Sequence, residues 1–364
     1  MSRVVAAREA SHIVSYRGMV ADGVCHLGGR VLRRPLPGGP REEDGWWQNL
    51  LNTYRRLDSE FIAGASVNIS FRGSAPITLT TDADGYYHGV FPVPEGCGNL
   101  LWENAEVTRT EGGTVFQQPI LCVPPTARLG VISDIDDTVL ESSITHWQTA
   151  AKLTFLRNAR TRKPLEGVAK LYQAFQRGVG GGAPNPIFYV SASPWNLYDL
   201  LEDFFDLNEI PQGPILLREL RFDRASFASE TAARAKLEHV ETLVQRYPAL
   251  QWVLMGDSGQ VDADLYAQLV RKFPGRIVAV YIRDVDPSLD SKRDQFVDGF
   301  IGSIADTRVP MLRVANSIAI AEHARSIGLI EAEQIARVAA EVVKDQARPP
   351  LLQAAVTGVG AKPA

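Results

Sequence analysis

The most informative stretch for the fold is Gly130-Val-Ile-Ser-Asp-Ile-Asp-Asp-Thr138, in which an apolar strand ends abruptly in three carboxylates. Residues 129–133 have the continuous apolar character of a strand that is buried on both faces. Four more short apolar runs follow along the chain, at 187–190, 215–217, 252–255 and 277–282. Helical patterns separate most of these runs, most clearly at 168–176 and 232–247. This alternation predicts an α/β fold: a Rossmann-like parallel sheet with helices on both faces.

The first third of the chain has a different character. Residues 67–93 alternate between apolar and polar side chains in short runs, a pattern typical of antiparallel strands. Asp84 and Gly85 stand between two of these runs and predict a hairpin turn. One helix is also predicted here from apolar residues at helical spacing, namely Trp47, Leu50, Leu51, Tyr54, Leu57 and Phe61. We therefore expect a small β-sandwich-like domain that carries one helix.

A proline-marked joint at 122–128 separates these two parts of the chain. It predicts a β-rich domain at residues 1–125 and an α/β domain at residues 126–345. Residues 346–364 have no hydrophobic period, and we expect them to form a loose C-terminal tail.

The overall composition excludes several classes of protein. The 364 residues include 38 basic and 42 acidic side chains, and the formal charge of −4 excludes a strongly basic nucleic-acid binder. No apolar run is long enough to span a membrane, and the N-terminus lacks the apolar core of a secretory signal. Cys25, Cys97 and Cys122 are too few for a disulfide framework or a zinc cluster. We expect a cytoplasmic protein, with peripheral contact to a membrane as a further option.

Acidic residues recur where the predicted strands end. Asp134 and Asp136 follow the first strand, and Asp257 and Asp262 follow the strand at 252–255. The carboxyl ends of parallel strands open into one crevice, where clustered carboxylates repel one another unless a cation neutralises them. The pattern therefore predicts a divalent metal ion with oxygen ligands, such as Mg²⁺. Taken alone, the first cluster would more commonly be an acidic surface turn or a helix cap, and its repetition is what favours a metal site.

Two further residues complete the candidate site. Ser191 is the first hydroxyl after the run at 187–190, and a hydroxyl followed by backbone amides suits a phosphate oxygen. A single serine at this position could instead cap the following helix. Lys236 is the only lysine between Lys170 and Lys272 in a chain whose basic residues are mostly arginines. A compact ammonium group there could reach a phosphate and a nucleophile together.

The order of these elements resembles the haloacid-dehalogenase-like hydrolase superfamily. A DxDxT-type strand end at 134–138 is followed by Ser191, Lys236 and a GDxxxxD motif at 256–262. The sequence is closer still to the actin-patch-type phosphatidate phosphatase family, which has bacterial members. The stretches that carry this resemblance are SDIDDT, YVSASPWNLYDLLEDFF, GPILLREL and GDSGQVDADLY. It covers the second half of the chain, which would then be a haloacid-dehalogenase-like phosphatase domain.

The resemblance implies a magnesium-dependent phosphomonoesterase that acts through an aspartyl-phosphate intermediate. The implied substrate is phosphatidate, which would be converted to diacylglycerol and phosphate. Asp134 would be the nucleophile, and Asp136 would act as general acid and then as general base. Ser191 and Lys236 would hold the phosphoryl oxygens.

The resemblance also implies a set of metal ligands. Mg²⁺ would be held by Asp134, the main-chain carbonyl of Asp136, and Asp257, with Asp262 nearby or acting through a water molecule. Two alternatives remain open on the residues alone. One is a phosphatase of a soluble metabolite or phosphoprotein, and the other is a catalytically silent, metal-binding scaffold.

The spacing of the motifs bears on the size of the substrate. The short interval between Thr138 and Ser191 leaves residues 141–162 room for only a small lid, so that a bulky or membrane-borne phosphate ester could enter. A basic run beside this lid could meet lipid headgroups or form a solvated helix end, and it consists of Arg157, Arg160, Arg162 and Lys163. The expected partner is thus a phosphate ester, most closely a phospholipid, and no nucleic acid is expected. The sequence does not indicate a protein partner for the N-terminal domain.

Overall fold

A computed structural model describes residues 12–33, 61–94, 100–110, 113–136, 138–139, 165–218, 229–259, 261–285 and 291–347. The chain divides into two compact units, Met1–Pro124 and Pro125–Ala364. Several predictions lie outside the described residues, namely most of the helix at 47–61, the lid at 141–162 with its basic run, and nearly all of the tail. Phe61, the last residue of that predicted helix, pairs with Leu32 in an isolated antiparallel bridge.

The first unit contains one seven-stranded sheet. Its strands are β1 (His12–Ala21), β2 (Val24–Leu32), β3 (Ser66–Ser70), β4 (Ile77–Thr80), β5 (Tyr86–Pro92), β6 (Trp102–Arg109) and β7 (Phe116–Cys122). They are ordered β4-β3-β6-β7-β1-β2-β5, and β1 and β7 run parallel whereas the other neighbouring pairs are antiparallel. The sheet curls, so that its two edge strands, β4 and β5, approach each other. The side chain of Leu79 in β4 lies against Gly89 in β5.

The predicted antiparallel strands are confirmed, but their arrangement differs from the expected sandwich. A single curled sheet encloses the core of this unit, which includes Val67, Val107 and Ile120. A curled sheet and a sandwich both bury alternate residues of each strand, so the alternation in sequence does not distinguish them. The prediction of a hairpin at Asp84 and Gly85 was wrong. The turn forms, but it connects β4 to β5, which stand at opposite ends of the strand order and do not pair. Strand β5 pairs with β2 instead.

The second unit is built on a six-stranded parallel sheet. Its strands are β8 (Leu129–Asp134), β9 (Ile187–Pro194), β10 (Ile215–Arg218), β11 (Gln251–Asp257), β12 (Ile277–Arg283) and β13 (Met311–Val314). The described helices are α1 (Val168–Arg177), α2 (Tyr198–Leu207), α3 (Ser229–Arg246), α4 (Asp262–Lys272), α5 (Lys292–Ser303), α6 (Ser317–Ser326) and α7 (Ala332–Ala347). The strand order is β10-β9-β8-β11-β12-β13, and every neighbouring pair runs parallel.

Five of these six strands coincide with the predicted apolar runs, so the parallel α/β sheet is confirmed. Strand β13 was not predicted, because it has only four residues and Arg313 interrupts its apolar character. Helix α7 continues through Ala347 and so includes the first two residues of the predicted tail, because its buried face includes Val338, Val342 and Asp345. Among the described residues, no helix combines the length and the hydropathy needed to cross a bilayer.

The strand order determines where the candidate site lies. Strands β8 and β11 are neighbours in the middle of the sheet, with Ser133 opposite Met255 in their register. Their carboxyl ends therefore carry Asp134 and Asp257 to the same place. Strand β9 pairs with β8 on its other side, and Ser191 therefore lies at the same carboxyl end of the sheet as Asp134 and Asp257.

Candidate active site

Three carboxylates meet where β8 and β11 end. Asp134 is the last residue of β8, Asp257 is the last residue of β11, and Asp262 is the first residue of α4. One oxygen atom from each carboxylate lies within 4.8 Å of the others, and all three side chains are buried. The structure thus brings together three of the four residues that the sequence predicts as metal ligands.

Lys236 lies between two of these carboxylates. It belongs to α3, and its Nζ donates hydrogen bonds to Asp134 Oδ1 at 2.7 Å and to Asp262 Oδ1. The side chain is only 2% exposed. Burial by itself would lower the pKa of Lys236, but the charges of Asp134, Asp262 and Asp257 outweigh it and raise the pKa above its ordinary value. The ammonium group therefore stays protonated.

Asp134 is surrounded by more negative charge than one lysine can balance. The pKa of Asp134 is raised to about 8: burial is the largest cause, Lys236 opposes the shift, and the charges of Asp262 and Asp136 add to it. Among the residues that the structure describes, the cluster consists of three carboxylates and the single positive charge of Lys236. A divalent cation among these oxygen atoms would remove the imbalance, and buried carboxylate oxygens are the donors that Mg²⁺ and Ca²⁺ prefer. The described residues therefore fit a hard divalent metal ion.

The side chain of Asp136 accepts hydrogen bonds from two serines of β9. Ser191 Oγ and Ser193 Oγ donate hydrogen bonds to Asp136 Oδ2 at 3.2 Å and 3.3 Å, and the backbone N–H of Ser193 donates to Ser191 Oγ at 2.9 Å. Ser191 is therefore engaged with Asp136 and does not cap α2, whose first turn has no side-chain cap. Ser193 was missed by the sequence analysis. Its signal was the Ser-Ala-Ser spacing, because residues i and i+2 of a strand point to the same face.

Backbone contacts hold the turn between Asp257 and Asp262. The N–H of Asp257 donates to Asp262 Oδ2 at 3.2 Å, and the N–H of Gly259 donates to Asp257 Oδ1 at 2.6 Å. A Cβ atom added to Gly256 would overlap the carboxylate of Asp262. Glycine is thus required at position 256 by the close approach of Asp262 to the backbone of β11.

We expect Gly256→Ala to push Asp262 away from Lys236 and to lower the free energy of unfolding by about 1–3 kcal/mol, as overpacking of a buried site does. Urea denaturation without added metal measures this change. Gly299→Ala is the matched control, because a Cβ atom there meets nothing within 4 Å and alanine favours the helix α5 in which it lies. Equal stability of the two variants would contradict the packing role of Gly256.

A second hydrogen-bonded chain anchors the backbone of Asp134. Ser133 Oγ donates to the carbonyl oxygen of Asp134 at 2.6 Å, and the hydroxyl of Tyr172 in α1 lies 2.6 Å from the same Oγ. Because the Ser133 hydroxyl has only one hydrogen, Tyr172 is the donor in the second bond. Burial raises the pKa of Tyr172 above its ordinary value, which keeps this donor protonated. Sequence reasoning missed both residues, since each lies within an apolar run that is typical of core packing.

Acids lie at two adjoining strand ends, a buried lysine lies between them, and the next strand presents hydroxyl groups. This combination of groups is typical of metal-dependent enzymes that act on phosphate esters. In such enzymes, positioned charges stabilise the transition state. Comparison with known proteins supports that class. Residues 129–284 match the family model of the catalytic domain of phosphatidate phosphatase APP1. All the predicted site residues fall within this match.

Two curated yeast proteins are similar to this chain. Phosphatidate phosphatase APP1 of Saccharomyces cerevisiae is 27% identical over 191 residues, which cover 52% of this chain and 32% of that protein. The uncharacterized protein C29B5.04c of Schizosaccharomyces pombe is 27% identical over 248 residues, which cover 65% of this chain and 40% of that protein. The matches thus span less than half the length of either relative. A solved carbohydrate esterase structure aligns over 83% of this chain and 94% of its own at 11% identity, with a TM-score of 0.22 that is too low to indicate a shared fold.

Proposed function

We propose that this chain is a magnesium-dependent phosphomonoesterase of the haloacid-dehalogenase-like type, and that its substrate is phosphatidate. One observation carries the proposal: Lys236 pairs with two of three clustered, buried carboxylates in a region that matches a phosphatidate phosphatase catalytic domain. A Rossmann-like sheet with helices on both faces is the proposed framework. The protein would meet its lipid substrate by peripheral contact with a membrane surface.

Asp134 is the proposed nucleophile, and its surroundings suit that role. Lys236 donates to its Oδ1, and Thr138 Oγ1 lies 3.5 Å from its Oδ2, so both oxygens are oriented. A carboxylate oxygen that attacks phosphorus forms an aspartyl-phosphate and displaces the ester oxygen of the substrate. Asp136 is the proposed general acid for that oxygen and the general base for the water that follows.

The proposed metal site uses residues already gathered at the ends of β8 and β11. Asp134, Asp257 and Asp262 would hold Mg²⁺ with their carboxylates, or with Asp262 through a water molecule, and Asp136 would contribute its main-chain carbonyl. When bound, the ion would supply positive charge to the phosphoryl oxygens and hold them in place. It would also relieve the repulsion that the single charge of Lys236 leaves uncompensated.

Ser191 and Lys236 are the proposed ligands of the phosphoryl group. An ammonium group has three donors, and the bonds to Asp134 and Asp262 use two of them, so a third can reach a phosphoryl oxygen. Ser191 presents its hydroxyl from the adjoining strand, on the side of Asp136. The same groups that position the nucleophile would thus also bind the group under attack.

We expect phosphatase activity to vanish in excess EDTA and to return with added Mg²⁺. Asp257→Ala should raise the Mg²⁺ concentration for half-maximal activity about tenfold or more, because it removes a buried ligand. Isothermal titration with Mg²⁺ gives a second readout that is independent of turnover. Asp264→Ala is the matched control, since that carboxylate accepts a hydrogen bond from Gln268 on the outer side of α4. Full activity in metal-free buffer, or an unchanged Mg²⁺ requirement in Asp257→Ala, would defeat the metal assignment.

A further inference from the structure

Two serines donate to the same oxygen atom of Asp136. Ser191 Oγ and Ser193 Oγ lie 3.2 Å and 3.3 Å from Asp136 Oδ2. The exposed fractions of Ser191, Ser193 and Asp136 are 2%, 6% and 5%, so bulk water does not compete for these bonds. Each hydroxyl has one hydrogen and can therefore donate to only one acceptor at a time.

The proposed function gives Ser191 a different acceptor during the reaction. If Ser191 donates to a phosphoryl oxygen of the bound substrate, its hydrogen is withdrawn from Asp136. The hydrogen bond from Ser193 to Asp136 Oδ2 needs no such change. Ser193 is also tied to the strand by its own backbone N–H, which donates to Ser191 Oγ at 2.9 Å.

We infer that Ser193 is a positioning residue of the proposed phosphatase: it holds the carboxyl group of Asp136 through Oδ2 while Ser191 binds the phosphoryl group. This inference rests on the proposed function and adds a residue to it. An oxygen that already accepts a hydrogen bond from a hydroxyl is a poor carrier of the acid's own proton. Ser193 thereby directs the transferable proton of Asp136 to Oδ1.

The step that depends on this placement is the departure of the leaving group. A carboxylate oxygen of Asp134 bonds to phosphorus while the phosphorus–oxygen ester bond breaks, and the electron pair of that bond stays on the ester oxygen. That oxygen takes the proton from Asp136 Oδ1, which leaves Asp136 as a carboxylate. Asp136 then takes a proton from the water that attacks the aspartyl-phosphate, so that phosphate is released and both acids return to their first state.

Dependence on the leaving group separates this role from a structural one. The constant kcat/KM covers the steps up to loss of the leaving group, so hydrolysis of the aspartyl-phosphate does not enter it. A p-nitrophenolate ion leaves without a proton, whereas the alkoxide from dioctanoyl phosphatidate needs one. We expect Ser193→Ala to lower kcat/KM for dioctanoyl phosphatidate by about 10- to 100-fold, and for p-nitrophenyl phosphate by less than about threefold. Ser193→Thr keeps the hydroxyl and should keep the ratio of the two constants.

Three further variants calibrate the result. Asp136→Asn should show the same discrimination between substrates with a larger loss. Ser191→Ala should lower kcat/KM for both substrates, because both present the same phosphoryl group. Ser258→Ala is the matched control for loss of a buried hydroxyl, since Ser258 Oγ accepts from the N–H of Val285 at 3.1 Å, and it should leave the ratio unchanged.

If Ser193→Ala lowered kcat/KM equally for both substrates, or lowered it for neither, the role of Ser193 would be overturned and the phosphatase assignment would stay intact. A wild-type protein that hydrolyses neither ester would overturn the proposed function and, with it, the inference. Thermal unfolding of each variant shows whether a loss of activity comes from a loss of fold.

Discussion

Asp134→Asn is expected to abolish phosphate release while the protein remains folded. The amide has nearly the shape of the carboxylate but cannot form an acyl phosphate, and loss of the proposed nucleophile should lower kcat by at least about three orders of magnitude. Folding should survive because burial already disfavours the charged form of this group, as its raised pKa indicates. Phosphate release and a thermal unfolding curve, measured on the same preparation, test both parts of this expectation.

Asp264→Asn provides the control for this variant. Its carboxylate lies on the outer side of α4 and bonds to Gln268, so its loss should leave turnover within about twofold of the wild type. If Asp134→Asn kept near-normal turnover in a preparation free of other phosphatases, Asp134 would not be the nucleophile.

Lys236→Met should be the most damaging single change to the stability of the site. It keeps most of the apolar stem but removes the ammonium group that pairs with Asp134 and Asp262. Removing one partner of a buried ion pair typically costs about 3–5 kcal/mol, because the remaining charges are left without compensation. We also expect kcat/KM to fall about 100-fold or more, since the positive charge proposed to bind the phosphoryl group is lost. Urea unfolding in metal-free buffer measures the first effect, and hydrolysis with Mg²⁺ measures the second.

Lys272→Met is the matched lysine control. Lys272 pairs with Glu241 at 2.6 Å, but its side chain is 51% exposed, and such surface pairs contribute about 0–1 kcal/mol. An unfolding free energy of Lys236→Met that equals that of Lys272→Met would contradict the assignment of a stabilising buried pair.

The parallel sheet could be predicted because its strands are buried on both faces. Such strands are continuous apolar runs, and five of the six appear as runs in the sequence. The sixth, β13, is short and contains Arg313, whose charge is balanced by Asp284, Asp294 and Asp298 from elsewhere in the chain. That compensation depends on residues distant in sequence, so the local pattern does not reveal the strand.

The curled sheet of the first unit was predicted less completely. Alternation identified the strands, but their neighbours depend on contacts between distant segments. The pairing of β5 with β2 and the buried side chain of Gln118 are examples. Gln118 Nε2 donates to the carbonyl oxygens of Tyr16 and Gly28, and it thereby links β7 to two other strands. The sequence around a buried glutamine does not indicate which carbonyl oxygens will accept its hydrogen bonds.

The approach of the candidate site residues was predictable where it follows from strand ends. Asp134 and Asp257 meet because parallel strands share one carboxyl edge. The pattern of residues named Asp262 and Lys236 as candidates, but their place in the site came from the family resemblance, since both lie on helices whose orientation the sequence does not fix. Ser193 and Tyr172 were missed because their roles depend on single hydrogen bonds to Asp136 and Ser133.

The proposed transfer of a phosphoryl group from phosphatidate to Asp134 is tested most directly by chemical trapping. The protein is incubated with phosphatidate in mixed micelles and Mg²⁺, the reaction is quenched with borohydride, and the peptide that contains residue 134 is examined by mass spectrometry. Borohydride reduces an acyl phosphate to an alcohol, so a phosphorylated Asp134 would acquire the side chain of homoserine. We predict this conversion at Asp134 with phosphatidate, and none in EDTA or without substrate. Release of phosphate from phosphatidate while Asp134 stays unmodified, or modification by soluble sugar phosphates alone, would contradict the assignment.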